Sequence, residues 1–123
     1  MTNSYVDITA EINRGILKLR QGAPDAMAGF SAMAKGALRP GALSELHKEL
    51  IALAIGVATH CDGCIGFHAK SLVRLGVKRE EVIEALAVAV YMGGGPSLMY
   101  AAEAMHAYDE FARGASAPAS GKS

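Results

Sequence analysis

The sequence predicts an all-α chain: a compact bundle of about six short helices. Three observations carry this. Apolar residues recur at three- and four-residue steps along most of the 123 positions, the period of a helix that buries one face. No stretch alternates apolar and polar residues in the manner of a half-buried strand. Glycine and proline punctuate the periodic stretches at residues 22–24, 39–41, 76 and 93–96, leaving segments of helix length between them.

Residues 7–21 form the first predicted helix, with Ile8, Ile12, Ile16 and Leu19 at helical spacing and charges between them. Gly22 and Pro24 end it, and Pro24 suits the first position of a second helix. That helix runs to about Leu38 with Met27, Phe30, Met33 and Ala34 as its apolar face. Arg39, Pro40 and Gly41 make a turn. Ser44 is a good N-cap for the third helix, and Glu45 complements its dipole. Leu46, Leu50, Leu53 and Val57 form one stripe. Residues 50–58 are apolar on every side, however, which marks a helix surrounded by protein.

Residues 60–63 turn the chain into a fourth helix, about 63–75, with Gly76 as its C′ residue. A fifth begins near residues 77–78, carries Glu80 and Glu81 in its first turn, and turns Val82, Leu86 and Val90 inward. Residues 93–96 interrupt. The sixth runs over about 96–113 with Leu98, Ala102, Met105 and Tyr108 inward. Residues 114–123 are low in complexity and are expected to form a mobile tail. The chain is therefore expected to be one domain over residues 1–113.

Composition narrows the function. Hydrophobic residues make up 51%, which argues against disorder. Twelve basic and twelve acidic residues cancel and no basic stripe appears, so nucleic acid is a poor partner. The longest uncharged run, residues 85–102, is broken by Gly93 to Pro96 and cannot span a membrane. The N-terminus is polar and lacks an apolar signal segment, so a cytoplasmic location is expected. Thiols there stay reduced, and a C-x-x-C then reads as catalytic or metal-binding before it reads as a structural staple. Residues 50–58 and 85–92 carry more apolar surface than short helices of one subunit can cover. An oligomer is expected.

The chemistry concentrates in residues 49–68. Both cysteines, Cys61 and Cys64, lie there with His68 four positions on and Glu49 twelve positions before Cys61. If the third and fourth helices form an antiparallel hairpin, Glu49 lies ~15 Å back along one and His68 ~10 Å back along the other, at 1.5 Å rise per residue. Their side chains can bridge that difference directly or through one water. Cys64 and His68 are neighbours on one helix face, and Cys61 sits at the helix mouth within disulfide reach of Cys64. A cysteine in a first helical turn gains thiolate character from the dipole. His68 can accept its proton, and Glu49 can orient the imidazole. Attack of the thiolate on a peroxide gives a sulfenic acid, which a partner cysteine converts to a disulfide. Zinc is the rival use of the same residues, but it needs a fourth ligand; no metal or other cofactor is expected. His47, His60 and His106 are expected at surfaces or interfaces.

Glu49, eleven residues, Cys61, two residues, Cys64, three residues, His68: this spacing resembles the signature of the AhpD-like alkylhydroperoxidases, within the carboxymuconolactone decarboxylase family. The flanks, Lys48 to Ala54 and Tyr91 to Pro96, resemble it too, and the likeness covers roughly residues 30–112. The resemblance implies an all-helical fold assembled as homotrimers or homohexamers, and peroxide reduction by a cysteine pair. It implies that Cys64 is the peroxidatic cysteine, that Cys61 resolves it, and that Glu49 and His68 relay the proton. A lipoyl-type dithiol as reductant and a peroxiredoxin as partner follow from the same resemblance. The chain departs from the peroxidase pattern at one point. A histidine precedes the second cysteine in the peroxidases, whereas here Gly63 does, with Asp62 before it. An acid beside the cysteines opposes thiolate formation, which leaves a dithiol–disulfide exchange adaptor as the alternative. Lactone decarboxylation needs no C-x-x-C and is the weaker reading.

Overall fold

The computed structural model describes residues 4–116. Among them lie six helices and no strand: α1 (Tyr5–Gly22), α2 (Pro24–Leu38), α3 (Glu45–Ala58), α4 (Asp62–Arg74), α5 (Arg79–Gly93) and α6 (Gly95–Ser116). The all-α expectation holds. None of these helices is long and apolar enough to cross a membrane.

Local chemistry sets the boundaries. Ser4 Oγ accepts from the Asp7 N–H and starts α1 two residues before the predicted point. Ser44 Oγ accepts from the His47 N–H and starts α3 as its sequence suggests. Glu81 reaches back to the Lys78 N–H at 2.9 Å and opens α5. Gly76, at φ 77°, and Gly94, at φ 76°, take the left-handed backbone that ends α4 and α5. The predicted tail begins too early: residues 114–116 continue α6. Residues 117–123 lie outside the described residues.

The core is built from α3, α4, α5 and α6. Leu53, Val57, Ile65, Leu72 and Val82 are fully buried in it. α4 packs on α3 and α6, α3 packs on α5, and α1 lies across α4. Small residues set the approach: a Cβ on Gly66 would stand 2.6 Å from Thr9 Cγ2, and one on Gly63 would stand 2.8 Å from Ile12 Cδ1. α1 thus rests directly on the first turns of α4.

Two predicted faces are half right: Met27 and Ala34 of α2 are half-buried, and Met105 and Tyr108 of α6 pack into the core as expected, whereas the rest of each face is not. α2 buries no residue, and Phe30 and Met33 are each 64% exposed. Among the described residues it packs on α1 and α3 alone, which leaves Phe30 and Met33 uncovered. In α6 the inward face is Ser97, Ala101, Ala104, Ala107 and Tyr108, while Leu98 and Ala102 face out. Size explains why Ser97 and not Leu98 turns inward. α6 lies close against α4, where alanine and serine fit and leucine does not. On α1, likewise, Tyr5 and Thr9 are the buried positions, and Leu19 is exposed. The spare apolar surface of the sequence is real: Ile51, Ile55, Val88, Tyr91, Met92, Leu98 and Met99 are all exposed.

Candidate active site

The site forms where α3 hands over to α4. α3 ends at Thr59, and His60 reverses the chain with a left-handed φ of 58°. Its ring stacks on Tyr100 of α6, with centroids 4.6 Å apart. Cys61 then serves as the N-cap of α4: its Sγ accepts from the Cys64 N–H at 3.1 Å. Cys61 and Cys64 are joined by a disulfide, with their Cα atoms 5.2 Å apart, in the usual range for such a bond. Cys64 therefore stands in the first turn of a thirteen-residue helix, where free N–H groups and the dipole favour an anion.

One turn behind Cys64, His68 Nδ1 meets Glu49 Oε1 at 2.6 Å. The bridge is direct. Glu49 is only 3% exposed, on a helix that carries no polar side chain beyond it, and a buried carboxylate there requires a partner. His68 supplies it. With Nδ1–H donating to the carboxylate, the Nε2 lone pair of the neutral ring is the position left to take up a proton. All four residues singled out from the sequence thus come together at one hairpin. His47, His60 and His106 are exposed, as expected. Among the described residues no group of three or more His, Cys, Asp or Glu stands where it could hold a metal ion.

Some parts of the site escaped the sequence reading. A Cβ on Gly56 of α3 would lie 3.0 Å from Cys64 Cβ, so that glycine brings the two helices together at the cysteine. A glycine inside an otherwise apolar helix was the available signal. Tyr5 of α1 is 4% exposed, and its hydroxyl donates to Asp62 Oδ1 at 3.3 Å. Burial first, then the charge of Asp62, pushes its pKa above the ordinary tyrosine value. Tyr5, Ile8, Asp62, Met99, Tyr100 and Glu103 line a cleft of about 320 Å³ beside the disulfide. Nothing local in the sequence pairs residues 5 and 62.

Fold and site together define a small six-helix protein with a cysteine pair at a helix mouth and, behind it, a buried glutamate paired with a half-buried histidine. The chain belongs to the carboxymuconolactone decarboxylase family, whose model matches residues 24–107. It is similar to the apo form of lpg0406, a member of that family from Legionella pneumophila. The TM-score is 0.87 and the identity 53%, over 88% of this chain and 96% of that one. A Thermotoga maritima structure, TM1620, described as a family protein with a suggested part in antioxidative response, matches at TM-score 0.71 and 29% identity, over 86% of this chain and 87% of that one. An uncharacterised protein of Cupriavidus necator is 40% identical over 89% of this chain and 96% of its own length.

Proposed function

We propose that this protein is a thiol peroxidase of the AhpD type, reducing small or organic hydroperoxides through Cys61 and Cys64. The observation that carries the reading is the Glu49–His68 pair at 2.6 Å, one turn behind a cysteine that is bonded to its partner at a helix mouth. In the reduced protein His68 takes the Cys64 proton. The thiolate attacks the terminal oxygen of the peroxide; an S–O bond forms, the O–O bond breaks, and the alcohol leaves with the proton returned by His68. Cys61 then attacks the sulfenic sulfur. An S–S bond forms, the S–O bond breaks, and water leaves. The product is the disulfide seen here, which a dithiol of lipoyl type returns to two thiols by exchange. The antioxidative role suggested for the Thermotoga protein supports this reading. So does the cysteine pair itself, which lactone decarboxylation would not use.

A second reading has its own observation. Gly63 stands where a histidine precedes the second cysteine in the peroxidases, and Ile12 of α1 fills the space that a side chain there would occupy. A protein so built can pass electrons between a lipoyl dithiol and a peroxiredoxin while reducing peroxide slowly. In either role we propose a homotrimer or homohexamer, supported by the exposed apolar residues of α3, α5 and α6. A stable monomer in light scattering at micromolar concentration would exclude that.

The test is the rate of thiol loss from the reduced protein with cumene hydroperoxide, set against the rate with oxidised lipoamide. A faster peroxide reaction that disappears in Cys64→Ser, and that leaves a trappable sulfenic acid in Cys61→Ser, supports the peroxidase. Fast lipoamide exchange with negligible peroxide reaction assigns the adaptor role. Inertness toward both rejects the two readings together.

A further inference from the structure

α1 lies outside the segment matched by the family model, yet it covers the mouth of the redox helix. Its first residue is fixed from two directions. The Glu110 carboxylate of α6 accepts from the N–H groups of Tyr5 and Val6, at 2.9 and 3.1 Å. The Tyr5 ring rests on Gly66 of α4, where a Cβ would come within 3.2 Å of it. So held, the Tyr5 hydroxyl donates to Asp62, the first residue of α4, which lies in sequence between Cys61 and Gly63. The peroxidase mechanism makes no use of Asp62. We propose that Tyr5 is a positioning residue for the cysteine pair. It holds the Asp62 carboxylate in the cleft between α1 and α6, and so reserves the N-terminal N–H groups of α4 for sulfur.

Positions 62 and 64 are about 200° apart around a helix of 3.6 residues per turn. Cys64 accordingly projects toward Gly56 of α3, whereas Asp62 lines the cleft with Tyr5, Met99, Tyr100 and Glu103. An aspartate in a first turn has an alternative. It can fold back on its own helix mouth and accept from the same N–H groups that stabilise a thiolate. There it would also oppose ionisation of the cysteine as a like charge. Glu103 is a second carboxylate lining the cleft, and the Tyr5 hydroxyl is the donor that holds Asp62 there. His60 and Tyr100 stand at the rim, and His68 and Glu49 lie behind Cys64. The Tyr5 hydroxyl stays protonated, and so remains a donor, throughout the neutral range.

The importance of this arrangement rests on the redox reading, but the test reads the thiol and not the peroxide. Reduced full-length protein is alkylated with iodoacetamide across pH, and Cys64 modification is followed by mass spectrometry. In Tyr5→Phe the apparent pKa of Cys64 should rise by roughly half to one unit, slowing alkylation at neutral pH about three- to tenfold. In an Asp62→Asn background the same change should have no effect. Asp62→Asn alone should alter the rate less than about twofold, because the carboxylate is already held off. Coincident curves for wild type and Tyr5→Phe overturn the proposal. So does an equal Tyr5→Phe shift in both backgrounds, which would mean that the ring acts by packing. Should Tyr5→Phe fail to melt cooperatively, the Asp62→Asn arm decides: a drop in pKa of a full unit means that the carboxylate already reaches the sulfur. Absence of peroxide turnover in the wild type would remove the proposed function and leave these curves unaffected.

Discussion

The α3–α4 and α5–α6 hairpins are built alike and used differently. Each reverses through a residue with left-handed φ, His60 at 58° and Gly94 at 76°. Each seats a glycine of its first helix against its second: Gly56 against Cys64, Gly93 against Ser97. In α5–α6 these devices close the two helices tightly on each other. Gly94 adopts its φ without steric cost, and the tight fit even leaves Ser97 Oγ buried without a hydrogen-bond partner. In α3–α4 a histidine takes the strained position, the helix mouth is capped by a sulfur, and a carboxylate is buried behind it. The same close-packed turn becomes a site where local conformational preference is overridden and a charge is kept out of water.

Glu49→Gln tests this contrast most severely, because it removes the charge and keeps the shape of the cysteine hairpin. Without the carboxylate His68 becomes a weaker base, and general-base contributions run to ~10²–10⁴-fold, so Cys64 oxidation should slow at least about tenfold. The melting temperature should stay equal or rise, since a buried carboxylate is costly. The check is the pH dependence of Cys64 alkylation alongside the oxidation rate. If both match wild type, the pair at 2.6 Å is structural and the two hairpins do not differ in chemistry.

Substituting the packed glycines separates fit from function. A Cβ at Gly93 would fall 1.9 Å from Ser97 Oγ and 2.7 Å from its Cβ. Gly93→Ala should therefore destabilise by about 1–3 kcal/mol, as overpacked cores do, and the added Ser97→Gly change should recover part of the loss. At Gly56 the nearest atom is Cys64 Cβ at 3.0 Å. Gly56→Ala should cost less stability, yet slow Cys64 oxidation, because the cysteine is what must give. Urea melts and oxidation rates on the two variants decide. Equal oxidation in both would mean that Gly56 is as purely structural as Gly93.

These glycines also show how far the sequence could be followed. Periodicity and turn residues gave six helices in the right order, because each boundary is a local event: Ser44, Gly76 and Gly94 act on their own backbone. The four site residues were legible because one hairpin brings them together, and hairpin geometry follows from rise per residue. What failed was non-local. Phe30 and Met33 look like core, but no second element reaches that side of α2. Leu98 looks more apolar than Ser97, yet the neighbour of α6 selects for small size. Tyr5 and Asp62 meet only because α1 folds across α4. Asp62 adjoins the cysteines in sequence, but residues 62 and 64 lie about 200° apart around α4.

The contact of α1 with the first hairpin and the closure of the second should also respond at opposite ends of the pH scale. Folding raises the pKa of Tyr5, mainly by burial and by Asp62, above its unfolded value of 10.0. The stabilisation tied to its neutral form is complete below pH 10 and is lost as pH rises through the folded value. On α5–α6 it is Asp109 whose pKa is lowered, by the hydrogen bond from Arg79. That contribution is present above the ordinary aspartate range and is lost as pH falls through the folded value. Tyr5→Phe should flatten only the alkaline limb of the stability–pH profile, and Asp109→Asn only the acid limb. The acid change should be the shallower, since the Arg79–Asp109 pair is open to solvent.

The smallest effect expected is at His60, where two opposing contributions meet. A left-handed φ costs a residue with a side chain roughly 1–2 kcal/mol relative to the right-handed region. The near-parallel stack on Tyr100 returns about 0.5–1.5 kcal/mol. His60→Gly relieves the first and forfeits the second, while adding about 0.5–1 kcal/mol of unfolded-state entropy. The sum should lie within about 1 kcal/mol of wild type. His60→Ala forfeits the stack and keeps the backbone cost, so it should be the less stable variant by roughly 1 kcal/mol. The difference between the two in urea denaturation, corrected for the entropic cost of glycine of about 0.5–1 kcal/mol, gives the backbone strain, because both lack the ring. An Ala variant more stable than the Gly variant by the full entropic difference of about 0.5–1 kcal/mol would mean that the turn at residue 60 stores no strain, and that the cysteine hairpin reverses as freely as the one that turns on Gly94.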